Sequence, residues 1–134
     1  MSDEELSKIL KRKYESFVSQ SQYRDAEDHK LYHLDDEKFD SFLQERRNVI
    51  VDFFADWCGP CKIMAPTFEA LAKEVASIAF AKVNVDENPV TSEKYYIMGV
   101  PTILYFKDGR LADKTVGVIT RDAFRKKIKE VYGV

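Results

Sequence analysis

Apolar positions fall into two periods along this chain. Between residues 3 and 18 they recur at helical spacing, as Leu6, Ile9, Leu10, Tyr14, Phe17 and Val18. Lys8, Lys11, Arg12 and Lys13 cover much of the remaining surface, which predicts an amphipathic helix. A polar run from Ser19 to Gln22 ends it, and the stretch up to Lys30 reads as a linker. From Leu31 onward, short apolar runs alternate with helical patterns. Residues 31–34 predict a short strand, and Asp35 or Asp36 is placed to cap a helix carrying Phe39, Phe42 and Leu43. Residues 49–54 are almost continuously apolar, which predicts a strand covered on both faces. A helical pattern follows from Ile63 to Val75. Pro66 inside it removes a backbone donor and crowds the preceding turn, so a kink or break is expected there.

Residues 78–85 alternate in part and predict a second parallel strand. The run Asp86-Glu87-Asn88-Pro89 opens a short helix reaching about Tyr96, and residues 102–106 form another strand. Asp108-Gly109 is a two-residue hairpin signal, because both residues tolerate positive φ, so a strand over residues 112–118 should return antiparallel. A last helix, about residues 120–132, places Phe124, Ile128 and Val131 on one face. The order β-α-β-α-β-α-β-β-α predicts an α/β fold. Right-handed parallel crossovers join the first strands, and the sheet is a mixed one of about five strands, closed by the antiparallel hairpin and covered by helices on both faces. Residues 1–30 then form an N-terminal extension and residues 31–134 a single domain.

Composition narrows the function classes. Nine Phe and seven Tyr in 134 residues supply enough bulk for one core. The net charge of −2 offers no basic field for nucleic acid. No apolar run approaches the roughly 18–20 residues a membrane helix needs. The start, Met1-Ser2-Asp3-Glu4-Glu5, is acidic and lacks the apolar core of a secretory signal, so a cytoplasmic protein is expected. The two cysteines are far too few for a disulfide scaffold.

Those two cysteines, Cys58 and Cys61, sit where the buried strand meets the following helix. Free backbone N–H groups and the positive end of a helix dipole favour a thiolate at Cys58. Spacing of three on a helix puts both sulfurs on one face, roughly 5–6 Å apart at Cβ, within easy adjustment of disulfide geometry. Pro60 is tolerated in the first turn and stiffens the small ring. The pair is also half of a zinc site. The other half is missing, since His29 and His33 lie in and beside a predicted edge strand rather than on a helix. A purely structural disulfide closing so small a loop would stabilise little. Asp52, a carboxylate flanked by apolar residues, reads as buried with a raised pKa, poised to pass protons to and from Cys61; an outward-facing Asp on an edge strand is the alternative.

Trp57-Cys58-Gly59-Pro60-Cys61-Lys62, with Val51-Asp52-Phe53 before it and Ala65-Pro66 after it, resembles the thioredoxin family. The likeness continues in family order through Ala81-Lys82-Val83-Asn84-Val85-Asp86, Tyr95-Tyr96-Ile97-Met98-Gly99-Val100-Pro101-Thr102, Phe106-Lys107-Asp108-Gly109 and Val116-Gly117. It covers about residues 31–134. The extension lies largely outside it and inherits nothing.

The resemblance implies the thioredoxin fold and a protein-disulfide reductase. Cys58 would be the attacking thiol and Cys61 the resolving thiol, alternating with a Cys58–Cys61 redox disulfide and needing no bound cofactor or metal. It implies Lys82 as the partner of Asp52, whereas a lone Lys in that strand more often faces solvent. Gly59-Pro60 is the spacer of the family's reducing members. Pro101 would be cis, exposing the Val100 backbone to an extended substrate. Trp57, Gly59, Pro60, Gly99, Val100, Gly117 and Val118 would form an apolar rim around Cys58; the alternative for Trp57 is a plain core aromatic, but its position at the active turn favours a partly exposed contact surface. The implied partners are an NADPH-linked flavoprotein thioredoxin reductase and disulfide-containing client proteins. Phe54 departs from the pattern, standing where many members carry a second tryptophan, so Trp57 should dominate fluorescence. Two other functions stay open: a disulfide oxidase or isomerase, and a redox-independent binding module using the same surface.

Overall fold

Alternation of side chains along one strand decides the layering of this molecule. The computed structural model describes residues 31–134, so the helix expected over residues 3–18 and its linker lie outside the described residues. The elements run β1 (Leu31–His33), α1 (Phe39–Gln44), β2 (Asn48–Phe54), α2 (Gly59–Glu74), β3 (Ala79–Asn84), α3 (Pro89–Lys94), β4 (Thr102–Lys107), β5 (Arg110–Val116) and α4 (Arg121–Tyr132). Five strands form one sheet in the order β1-β3-β2-β4-β5, with β2 in the middle. Successive residues of a strand point to opposite faces. Ile50 accordingly packs with Met64, Phe68 and Leu71 of α2 and with Phe124 and Ile128 of α4. Val49, Val51 and Phe53 pack on the other side, with Phe39, Phe42 and Leu43 of α1 and with Tyr95 and Ile97 after α3. The first face is anchored by Phe68, whose ring lies 5.3 Å from Phe80 and 6.0 Å from Phe124. Full burial of each such ring contributes roughly 1.5–3 kcal/mol. Helices therefore cover both faces of a mixed sheet, as the sequence pattern predicts.

Three local expectations are sharpened. The break allowed for at Pro66 does not occur: α2 is continuous through it, between the buried Met64 and Phe68, and packing of that face against the sheet outweighs the lost backbone bond. Asp35, not Asp36, serves the turn before α1, its Oδ1 accepting from the Lys38 N–H at 2.9 Å. Asp36 instead caps α3, accepting from the N–H groups of Val90 and Thr91 at 3.2 and 2.8 Å. β5 ends at Val116, so Val118 falls in the loop before α4 rather than in a strand.

The pairing also shows what the helix count leaves open. β1 and β2 each run parallel to β3 and do not pair with one another. β4 runs antiparallel to β2, with Phe53 opposite Thr102. β3 finishes at Asn84, beside Phe54 at the same end of the sheet. The six-residue α3 never carries the chain back to the far end, so β4 must run in reverse.

The segment joining α3 to β4 holds an exposed residue in an unusual conformation. Tyr96 has φ of 52°, in the left-handed region, and is 79% exposed. A side chain there costs roughly 1 kcal/mol, and at this exposure little packing is lost with it. Tyr96→Gly is expected to raise stability by about 0.5 kcal/mol after the added unfolded-state entropy of Gly, checked by the shift in urea midpoint.

Candidate active site

β2 delivers its last residues to the helix that bears the dithiol. Phe54 closes the strand by accepting from the Val85 N–H at 2.9 Å, and the Cys58 N–H donates to the Ala55 carbonyl at 3.3 Å. Cys58 is the N-cap of α2, in extended conformation, and its Sγ accepts from the Cys61 N–H at 3.1 Å. Gly59 and Pro60 occupy the first two helical positions, where a missing N–H leaves no intrahelical bond unmade. Cys58 and Cys61 form a disulfide with their Cα atoms 5.3 Å apart. The two residues are only 3% and 5% exposed, so access alone does not rank them. Ala55 completes their small buried cluster, against which Phe54, Val85 and Val100 pack.

Two further segments meet the dithiol. The Cys58 sulfur lies 3.6 Å from the Val100 carbonyl oxygen, and the Val100–Pro101 bond is cis. Thr102 donates its hydroxyl to the Gly99 carbonyl at 2.6 Å. Gly117, at φ 94°, donates its N–H to the Pro101 carbonyl at 2.8 Å; that left-handed φ is one glycine adopts without penalty. Pro101 itself is buried, so it supports the ledge from beneath. Trp57 is 70% exposed, which settles its reading against a core aromatic. Its Nε1–H donates to Asp86 Oδ2 at 2.7 Å, and the Asp86 N–H in turn donates to Asn84 Oδ1 at 2.9 Å. Sequence reasoning missed Asp86 in this role, because nothing local in Asp86-Glu87-Asn88 points to an indole 29 residues away.

Asp52 lies on the face of β2 shared with Ile50 and is wholly enclosed. Neither carboxylate oxygen has a hydrogen-bond partner among the described residues. Burial pushes its carboxyl up to about 6, against a smaller downward pull from the charge of Lys82. Lys82 is its register partner on β3 and is half-buried, with its ammonium 4.7 Å over the Phe54 ring. Lys82 also lines a groove of about 580 Å³ with His33, Asp56 and Asn84. Phe54, the departure noted in the sequence, thus seats the lysine.

Among the described residues no group of three or more His, Cys, Asp or Glu is placed to hold a metal ion, and His29 lies outside them. Nor is any described helix long and apolar enough to cross a membrane.

A sulfur pair at a helix N-cap, with a buried acid on the strand that leads into it and the Val100 carbonyl of a cis-proline segment beside it, is an arrangement suited to thiol–disulfide exchange. The comparisons with known proteins agree. The thioredoxin family model matches residues 30–130. A thioredoxin of Chlamydia caviae is 42% identical over 94 residues, spanning 70% of this chain and 91% of that protein. One of Acidithiobacillus ferridurans is 46% identical over 92 residues, spanning 68% of this chain and 85% of its own length. The solved structure of a mutant thioredoxin from Halobacterium salinarum superposes with a TM-score of 0.72 at 34% identity, covering 77% of this chain and 91% of that one. On sequence, fold and site together, this chain belongs to the thioredoxin family and is a thioredoxin-type disulfide oxidoreductase.

Proposed function

We propose that the protein reduces protein disulfides, with Cys58 attacking the client and Cys61 releasing it. The observation that carries this reading is the Cys61 N–H aimed at the Cys58 sulfur at the N-terminus of α2. A thiolate at Cys58 gains a charge-assisted hydrogen bond and the positive end of a sixteen-residue helix. Cys61 lies inside the first turn, past the cap position where those free N–H groups converge.

In the first step the Cys58 thiolate attacks one client sulfur, and the other leaves as a thiolate that takes up a proton. The mixed disulfide holds the client on Cys58. Cys61 then gives its proton to Asp52 and attacks the Cys58 sulfur, expelling the second client thiolate. The client gains two electrons and the protein becomes the Cys58–Cys61 disulfide. A carboxyl titrating near 6 is mostly ionised at neutral pH, yet basic enough to accept that proton.

The client would lie on the rim of Trp57, Gly59, Pro60, Gly99, Val100, Gly117 and Val118, pairing an extended segment with the Val100 backbone. An NADPH-linked flavoprotein thioredoxin reductase would return the disulfide to the dithiol, in a reducing compartment such as the cytoplasm. Equilibration with glutathione buffers tests the direction. A potential near that typical of thioredoxins, about −270 mV, is expected together with insulin reduction. A potential above roughly −200 mV would overturn this reading in favour of an oxidase or isomerase.

A further inference from the structure

The segment leading to the Val100 ledge displays apolar side chains that the fold does not use. Ile97 packs into the core, while Tyr96 and Met98 on either side of it are 79% and 92% exposed. The other described methionine, Met64, is wholly enclosed. Met98 is two residues from Val100, whose carbonyl lies 3.6 Å from the Cys58 sulfur. Two residues of chain span at most about 7 Å, so the Met98 backbone lies close to the ledge that meets the dithiol. Trp57, 70% exposed, directly precedes Cys58, and Ile63, 66% exposed, follows Cys61 by two residues.

We propose that Met98 is a client contact that doubles as a peroxide-sensitive site controlling protein-disulfide reduction. The inference rests on the reading of this face as the client surface. The occupant is an extended, apolar stretch of a cysteine-bearing polypeptide, since Met98 continues the ledge on which the reacting disulfide must lie. A flexible, polarisable thioether adapts to varied apolar side chains, which suits a surface meeting many clients. Hydrogen peroxide oxidises the thioether by two electrons, transferring one oxygen to sulfur and leaving water. The sulfoxide is polar and chiral and no longer fits an apolar contact. The dithiol, held as the Cys58–Cys61 disulfide, is not consumed in that step. A methionine sulfoxide reductase would restore the contact.

The test uses the full chain in its disulfide form. It is treated with hydrogen peroxide, quenched, re-reduced with dithiothreitol and assayed on insulin and on the small aromatic disulfide DTNB, with modified residues mapped by peptide mass. Oxygen is expected on Met98 and not on Met64. Insulin reduction should fall about fivefold, the factor that about 1 kcal/mol of lost apolar contact produces. DTNB reduction should stay unchanged. Met98→Leu, which keeps an apolar side chain but no thioether, should show the same insulin rate after peroxide as before it, which separates Met98 from any other oxidised residue. An unmodified Met98, an unchanged insulin rate after its oxidation, or an equal fall in Met98→Leu would overturn the proposal. So would a change in sedimentation on oxidation with no change in insulin rate, which would make a second copy of the chain the occupant. Untreated protein that reduces neither substrate sinks the reductase reading and this inference together, whereas full activity that ignores Met98 sinks only the inference.

Discussion

Cys61→Ser is expected to turn the protein into a trap that accumulates mixed disulfides on Cys58. The Cys58 sulfur sits at the helix cap with the Cys61 N–H directed at it, and serine at position 61 preserves that backbone donor. The first attack therefore proceeds. The second does not, because a hydroxyl cannot displace a thiolate from a disulfide under these conditions. Well-placed intramolecular groups act at effective concentrations of about 10⁵ M or more, against millimolar external thiol. Steady-state insulin reduction should accordingly fall by at least about a thousandfold. Mass spectrometry of the denatured, non-reduced protein should show client peptides joined to Cys58. Cys58→Ser should lose turnover equally and trap almost nothing. Equal trapping by both variants would mean that the two sulfurs exchange roles, and the asymmetry assigned to the helix cap would be wrong.

The parts of this design that are legible in the chain are those that local chemistry determines. Cys58 and Cys61 announce themselves by spacing, by the apolar strand before them and by the helix after them. Asp52 is readable as buried because Val51 and Phe53 flank it, and the structure encloses it completely. Asp108-Gly109 forms its turn because only those two residues need unusual dihedrals, and both show positive φ. What escapes is set by distance. Asp36 looks like a cap for the next helix and instead caps one more than fifty residues away. Asp86 reads as an ordinary helix-start acid and instead holds Trp57. The direction of β4 depends on which end of the sheet α3 leaves the chain, and no residue type encodes that. Pro66 belongs with these: the penalty it carries is local, while the packing that overrides it comes from Phe80 and Phe124 across the core.

Asp52→Asn is expected to stabilise the protein in a pH-dependent way and to slow it in the same range. In the folded state the carboxyl titrates at about 6, whereas in the unfolded chain it titrates near its ordinary 3.8. Between these values the folded protein holds a proton that the unfolded chain has lost. Stability from this group is therefore fully present below about pH 4 and is lost as pH rises through 6. The asparagine variant carries no such titration. Its stability relative to the parent should grow by roughly 2–3 kcal/mol between about pH 4 and pH 8, as the size of the shift requires. Taking the difference between two pH values cancels the cost of burying an amide among groups that offer it no partner. Denaturant melts at both pH values measure it, and a constant difference would show that the carboxylate is solvated by a route the enclosed geometry does not provide. On the proposed mechanism the same substitution removes the acceptor for the Cys61 proton. In the parent, release of client from Cys58 should accelerate as pH rises through about 6, because only the ionised carboxylate can accept. In Asp52→Asn that acceleration should vanish, leaving a slower rate that rises only as Cys61 ionises unaided. A more stable protein that releases its client more slowly is the signature of a buried charge retained for chemistry, since stability alone would have favoured its replacement.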